Sequence, residues 1–216
     1  MFERQKVVQI EVIGQGAFEP GRIFCVGQNY EAHAREMGLF APKEAPIYFT
    51  KTPSNAVLAG GEIAYPPGTQ NLHHEIELAF VIGADGAIAA WGLALDMTRR
   101  DVQAEMRAAG RPWDRAKDFE AAAVFASMCP AAEFTPNGQE IRLSVNGEAR
   151  QAGRLDEMVH GPAELIADLS KHYTLRPGDV ILTGTPAGVG PVQPGDTLLG
   201  QIDGLPDLRV TIGARG

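Results

Sequence analysis

The sequence predicts a mixed α/β fold that is mostly β, a largely antiparallel roll or sandwich with a few peripheral helices. Three observations lead there. Apolar runs are short and bounded by turn residues; helical periodicity is confined to three segments; and no strand–helix–strand rhythm repeats, which argues against a doubly wound parallel sheet. The 25 glycines and 15 prolines among 216 residues supply the turns that short elements need. A chain of this length can bury one substantial core. With no low-complexity linker or charge block in it, it divides into a short lead-in, 1–21, and a single domain, 22–216.

In chain order, VVQIEVIG reads as a strand of the lead-in and RIFCVG (22–27) as a buried strand. QNYEAHAREMG follows as a short helix, with Gly38 just past its end. IYFTK (47–51) is a strand. HHEIELAFVIG (73–83) is another, with Ile76, Leu78, Phe80 and Ile82 on one face and His73, Glu75, Glu77, Ala79 and Val81 on the other. TRRDVQAEMRAAG (98–110) is a helix with Thr98 as N-cap, Asp101 three residues on and Gly110 at its end. EIRLSVNGEARQ (140–151) is a hairpin about Asn146-Gly147. GPAELIADLSKHYTL is the third helix, opened by Pro162. The turns RPGD and QPGD bracket VILTGTPAGVG, and TLLGQIDG follows.

Composition removes several classes of function. With 44% hydrophobic and 21% charged residues, this is an ordinary globular composition. The formal net charge of -8, with no Lys/Arg cluster to offset it, argues against a nucleic-acid partner but not against a small anionic substrate. Cys25 and Cys129 are too few for a disulfide framework and lack zinc-site spacing, so buried free thiols in a reducing cytoplasm are expected. MFERQKVVQIEVIG lacks a signal-peptide core and no later stretch is long enough to span a bilayer, so a cytosolic protein without a membrane partner is expected.

Glu75 and Glu77 interrupt an apolar strand. At i and i+2 their side chains lie roughly 6.5–7 Å apart and repel in a half-buried setting. Either water screens them at a solvated strand end, or a hard cation holds them together. Asp96, in GLALDMTRRD, is either a helix cap or a third carboxylate at the end of a neighbouring strand. Three carboxylates without cysteine or paired histidine suit Mg²⁺ or Mn²⁺, not Zn²⁺. His73 and His74 are then structural neighbours. Arg99 and Arg100 sit where a helix dipole disfavours cations, offset by Asp96 and Asp101 or turned toward a bound carboxylate, with Gln103 on the same face as Arg100. Lys117, between Asp114 and Asp118, reads locally as a solvated ion pair. His33 and Glu36, three apart, share a helix face, and a carboxylate on one imidazole nitrogen makes the other a better base. TGTPAGVG (183–190) lacks the Gly-Lys-Ser/Thr ending of a nucleotide loop and reads as a tight loop offering Thr185 and backbone amides to a small anion.

In order, FCVGQNYEAHAREMG, FTK, HHEIELAFVIG, LALDMTRRDVQ, PWDRAKDF and VILTGTPAGVGPVQPGD resemble the fumarylacetoacetate hydrolase family, in its short branch of acylpyruvases and oxaloacetate decarboxylases. The resemblance runs from about Arg22 to the end. It implies the β-roll of that family's C-terminal domain, a homodimer, and Mg²⁺ or Mn²⁺ held by Glu75, Glu77 and Asp96. It implies a His33–Glu36 dyad on a mobile lid helix, an active-site Lys117, and a substrate pocket lined by Lys51, Arg100, Gln103 and Thr185. Relatives carry Cys-Pro soon after the AKDF stretch where this chain has EAAAVFASMCP, and GADGAIAAWG is shorter than the usual connection.

The activity so implied is metal-dependent cleavage of acylpyruvates, 2,4-diketo acids, to pyruvate and a carboxylic acid, with His33 and Glu36 activating water. Oxaloacetate decarboxylation and keto–enol tautomerisation share the same enolate and are the alternatives. A keto-acid-binding protein without turnover would lack a ligand or the base, and here none is missing. Acyl selectivity is expected around Gly38, Leu39 and Phe40.

Overall fold

The computed structural model describes residues 5–41 and 43–215; the first four residues of the lead-in, Pro42 and Gly216 lie outside the described residues. Its centre is an eight-stranded sheet. In spatial order the strands are Ile47–Lys51, Ile23–Gly27, Val180–Leu182, Ile76–Ile82, Ile88–Asp96, Ala123–Phe125 and Ala56–Leu58, with Cys129–Pro130 also beside Ile88–Asp96. Pairing is mostly antiparallel, as predicted, but Val180–Leu182 runs parallel to Ile23–Gly27 and Ala123–Phe125 parallel to Ala56–Leu58. A five-stranded sheet, Glu148–Arg154, Glu140–Val145, Thr197–Ile202, Leu208–Arg215 and Glu62–Tyr65, covers one face.

The alternation in residues 76–82 is visible in the packing. Ile76, Leu78, Phe80 and Ile82 meet Leu143, Leu198 and Val210 of the second sheet in the larger core. Ala79 and Val81 point the other way, into a smaller core with Ile23, Cys25 and Val180. That core is closed by the hairpin Ile10–Val12/Gly16–Phe18, whose Ile10 is fully buried. Both faces are therefore covered and every residue of the strand is buried. A charged pair at its start cannot be a water-screened strand end.

The larger sheet is strongly curled. Lys51, on its edge strand, reaches Asp96, four strands away, with Nζ 2.8 Å from Oδ1. In a flat sheet four strand spacings are roughly 19 Å, far beyond a lysine side chain. Curling turns the smaller core into the inside of a half-barrel, and the charged residues line its mouth.

Several local readings hold. IYFTK forms Ile47–Lys51. Asn146 (φ 53°) and Gly147 (φ 81°) make the hairpin turn between Glu140–Val145 and Glu148–Arg154. Pro162 opens the helix Pro162–Leu169, and Glu31–Glu36 is helical. The helix at 98–110 starts later than predicted, at Arg100. Thr98 is no N-cap: it pairs with His73 in a short antiparallel bridge. Asp101 does not complete a capping box either; its carboxylate accepts from Thr69 Oγ1 (2.5 Å) and the Gln70 N–H (2.8 Å). The AAAVFASMCP stretch supplies Ala123–Phe125 and Cys129–Pro130, both paired to Ile88–Asp96. The GADGA segment is a tight turn, Gly83 N–H to Ala87 O at 2.8 Å. Both cysteines are free and buried. Among the described residues no helix is long and apolar enough to cross a membrane.

Candidate active site

Antiparallel register brings the carboxylates together. Ile76 lies opposite Leu95 and Glu77 opposite Ala94, and the Asp96 N–H donates to Glu75 O. Glu75 and Asp96 are thus cross-strand neighbours, and Asp96 lies diagonally from Glu77 on the same face. All three are buried, each with an oxygen within 4.8 Å of the others. Asp96 Oδ1 lacks an aligned hydrogen-bond donor, although Lys51 Nζ is close by. Three buried carboxylates, one with an unmatched oxygen, fit a hard dication.

Without one, the site is balanced by three cations. Lys117 Nζ donates to Glu75 Oε2 (2.8 Å), Asp96 Oδ2 (2.7 Å) and Thr98 Oγ1 (2.7 Å), matching all three ammonium protons. This replaces the solvated pair expected from Asp114 and Asp118; Asp118 instead accepts from the Thr52 N–H and Asn55 Nδ2. Lys51 contacts Asp96 and donates to the carbonyls of Met97 and Lys117. Arg100 donates to Glu75 Oε1 and, at 2.5 Å, to Gln103 Oε1.

The balance is uneven across the triad. Burial raises the Glu75 carboxyl, but Lys117 and Arg100 outweigh it and hold it well below the usual range. Glu77 is pushed well above that range by burial, then by Asp96 and Glu75. A third carboxylate with too little positive charge around it is the electrostatic signature of a cation site.

Neither His73 nor His74 belongs to the carboxylate cluster or to the lining of the cleft beside it. His73 Nδ1 accepts from Arg100 Nε and Nε2 donates to Asn71 Oδ1. Burial, then Arg100, pulls it down to about 4, so the ring is neutral. His74 packs on Gln151, a residue the sequence reading missed. Pro186 O can only accept, so the Gln151 amide nitrogen must face it and Thr185 Oγ1. The amide oxygen then takes the Ile76 N–H and His74 Nδ1–H.

The 183–190 loop does present its amides to anions, but the anions belong to this chain. Gly184 N–H donates to Glu77 Oε2 at 2.7 Å, and Gly188 N–H to both Glu36 oxygens at 3.1 and 3.2 Å. Thr185 lines the cleft, but its hydroxyl hydrogen goes to Ile76 O. The Gly188 contact holds the end of the short helix Glu31–Glu36 over the triad. Within that helix His33 Nδ1 is 3.3 Å from Glu36 Oε2.

One cleft collects these groups. It is lined by Glu75, Glu77, Asp96 and Lys117 at its polar end, by His33, Arg100, Gln103 and Thr185 around them, and by Val26, Met37, Leu39, Phe49, Arg107 and Trp113. Lys51 stands behind Asp96, not in the lining. Phe40 is 91% exposed, while Leu39 faces the cleft. Gln28, also in the lining, has φ 59°, an uncommon conformation for a residue with a side chain and one found at functional sites.

A half-barrel with a buried carboxylate triad, covering cations and a His–Glu pair on a helix across its mouth defines a metal-binding β-fold of hydrolase type. The family model described as fumarylacetoacetate hydrolase C-terminal matches residues 22–213, and the chain belongs to that family. It is 44% identical to an oxaloacetate tautomerase of Escherichia coli, over 88% of this chain and 93% of that protein. It is 41% identical to a fumarylpyruvate hydrolase of Ralstonia sp, over 79% and 94%. The structure of fumarylpyruvate hydrolase from Pseudomonas aeruginosa in complex with Mn²⁺ and pyruvate superposes with a TM-score of 0.94 at 39% identity, covering 100% of this chain and 99% of that one.

Proposed function

We propose that this chain is a Mg²⁺- or Mn²⁺-dependent hydrolase of acylpyruvates, releasing pyruvate and a carboxylic acid, and that it works as a cytosolic homodimer with residues 22–216 as one catalytic domain. The observation that carries the reading is the His33–Glu36 pair held across the same cleft as the triad by Gly188. Glu75, Glu77 and Asp96 would hold the metal, which when bound supplies Lewis-acid stabilisation of negative charge on the 2-keto oxygen. Glu36, bonded to His33 Nδ1, orients the ring so that Nε2 can take a proton from water. The resulting hydroxide adds to the C4 carbonyl, the C3–C4 bond breaks, and its electron pair becomes the pyruvate enolate, which is protonated at C3. Lys117 and Arg100 favour the charged form of Glu75, and Lys117 also fixes the Asp96 carboxylate in place. Gln103, whose amide nitrogen has no protein partner among the described residues, is placed to donate to the substrate.

A second reading, enol–keto tautomerisation of oxaloacetate, is favoured by the 44% identical tautomerase. It needs the same site and the proton-transfer role of the dyad without addition of water; decarboxylation of oxaloacetate needs no dyad. The test uses EDTA-stripped protein with Mg²⁺ or Mn²⁺ restored. It follows acetylpyruvate and fumarylpyruvate loss beside oxaloacetate tautomerisation and decarboxylation, for wild type and His33→Ala. Metal-dependent diketo-acid cleavage that falls by about 100-fold in His33→Ala, with oxaloacetate decarboxylation far less affected, is expected. Inert diketo acids with fast oxaloacetate turnover would replace the hydrolase reading with the second one.

A further inference from the structure

The cations in and behind the cleft are not equivalent. Lys51, Lys117 and Arg100 are each bound to a carboxylate of the triad. Arg107 is not. It lies on the cleft side of the helix Arg100–Ala108, and seven residues from Arg100 place it roughly 10 Å further along the axis. Among the described residues it has no acidic partner; its one contact is a long bond, 3.5 Å, from Nη1 to Met37 O at the end of the lid helix. The same cleft is lined by the apolar side chains of Met37, Leu39 and Trp113, and Met37 is the residue whose carbonyl Arg107 touches. Arg107, Met37, Arg100 and Gln103 also line a groove that continues past Ala104 and Ala108, so this end of the cleft is open.

The cleft therefore combines the triad and its paired cations, an apolar lining, and a cation not paired to the triad that lies about two helical turns from Arg100. We propose that Arg107 is a specificity residue that receives a carboxylate at the far end of the acyl tail, so that the preferred substrates are acylpyruvates with a dicarboxylic skeleton and an apolar spacer. This deepens the hydrolase reading and rests on it for the identity of the head group. A guanidinium with five donors and one weak protein contact has its carboxylate-binding edge available, and a carboxylate is the anion whose geometry it matches. Oxaloacetate has only one methylene between its keto carbon and second carboxylate, short against the roughly 10 Å between Arg100 and Arg107 along the helix. A seven-carbon skeleton spans more of the distance. Position, not charge alone, thus selects against the short diacid.

Binding of two unreactive 2-keto acids to Mn²⁺-loaded protein tests this: 2-oxoheptanedioate, with a distal carboxylate, and 2-oxoheptanoate, without one. Titration calorimetry on wild type, Arg107→Met and Arg107→Lys gives the affinity ratio of diacid to monoacid. Arg107→Met should reduce that ratio by about three- to tenfold, the range for a partly solvated charge-assisted contact, with Arg107→Lys recovering part of it. An unchanged ratio, or both ligands weakening in parallel because the lid has lost its Met37 contact, overturns the proposal. Hydrolysis of fumarylpyruvate by the wild type is read separately. If it is absent while the binding ratio depends on Arg107, the hydrolase reading fails and the tail site stands.

Discussion

Buried charge gives single residues of this chain their meaning, and it also decides which of them can be read locally. Glu75 and Glu77 are conspicuous because they break an apolar run, so the chain itself raises the question of what neutralises them. Lys117 is inconspicuous for the opposite reason: Asp114 and Asp118 offer it partners in sequence, while its actual partners, Glu75 and Asp96, arrive through the fold. Gln151 is harder still. It stands among the charged residues of a hairpin strand, and all four of its hydrogen bonds go to groups distant in sequence. Nothing nearby marks it as the clamp between the 74–76 segment beside Glu75 and the 183–190 loop. Gln151→Leu keeps the volume and removes all four partners. Each buried group left unpaired costs about 1–3 kcal/mol, so the urea midpoint should fall clearly, with metal affinity weakened as well. A stability within experimental error of wild type would show that the clamp carries no weight.

At the scale of elements, local rules succeed where an element's own residues decide it and fail where a neighbour does. Asn146-Gly147 and Pro162 fix a turn and a helix start by backbone geometry alone, and both are found where the sequence puts them. Thr98 satisfies the same kind of local rule, yet pairing with His73 keeps it extended and delays the helix to Arg100. Asp101 then works as a tether between the helix and the 69–70 turn. Partial burial raises its carboxyl, but the hydrogen bonds from Thr69, Gln70 and Val102 prevail and hold it below its ordinary 3.8. A depressed folded-state value contributes stability above the unfolded value and loses it as pH falls through the folded one. Asp101→Asn should therefore lower Tm at pH 7, and the difference should narrow as pH drops below 3.8. Calorimetric scans of both proteins at neutral and acid pH measure this; a gap that stays constant would mean that the tether is not electrostatic.

For the molecule as a whole, the two sheets set the geometry of the triad. Ile76 lies between Glu75 and Glu77 in sequence, but its side chain points to the opposite face, into the core against the second sheet. There it sits over Gly200 of the strand Thr197–Ile202 so closely that a Cβ at 200 would be 2.5 Å from Ile76 Cδ1. The sheets can approach this closely only because position 200 has no side chain, and that approach seats the backbone from which both glutamates project. This coupling is not legible in TLLGQIDG, where the glycine looks like an ordinary weakness in a strand; its role exists only once the second sheet is laid on the first. Gly200→Ala meets the flexible end of Ile76, which can rotate away, so its effect should be small. Gly200→Val cannot be absorbed that way, and overpacking should cost about 1–3 kcal/mol. The decisive comparison is between urea denaturation and Mn²⁺ titration of the folded variant. Gly200→Val should lose stability and also bind Mn²⁺ several-fold more weakly, since a shift of Ile76 moves Glu75 and Glu77 with it. If stability falls while Mn²⁺ affinity is unchanged, the curled sheet alone holds the triad, and the second sheet contributes burial without setting the site.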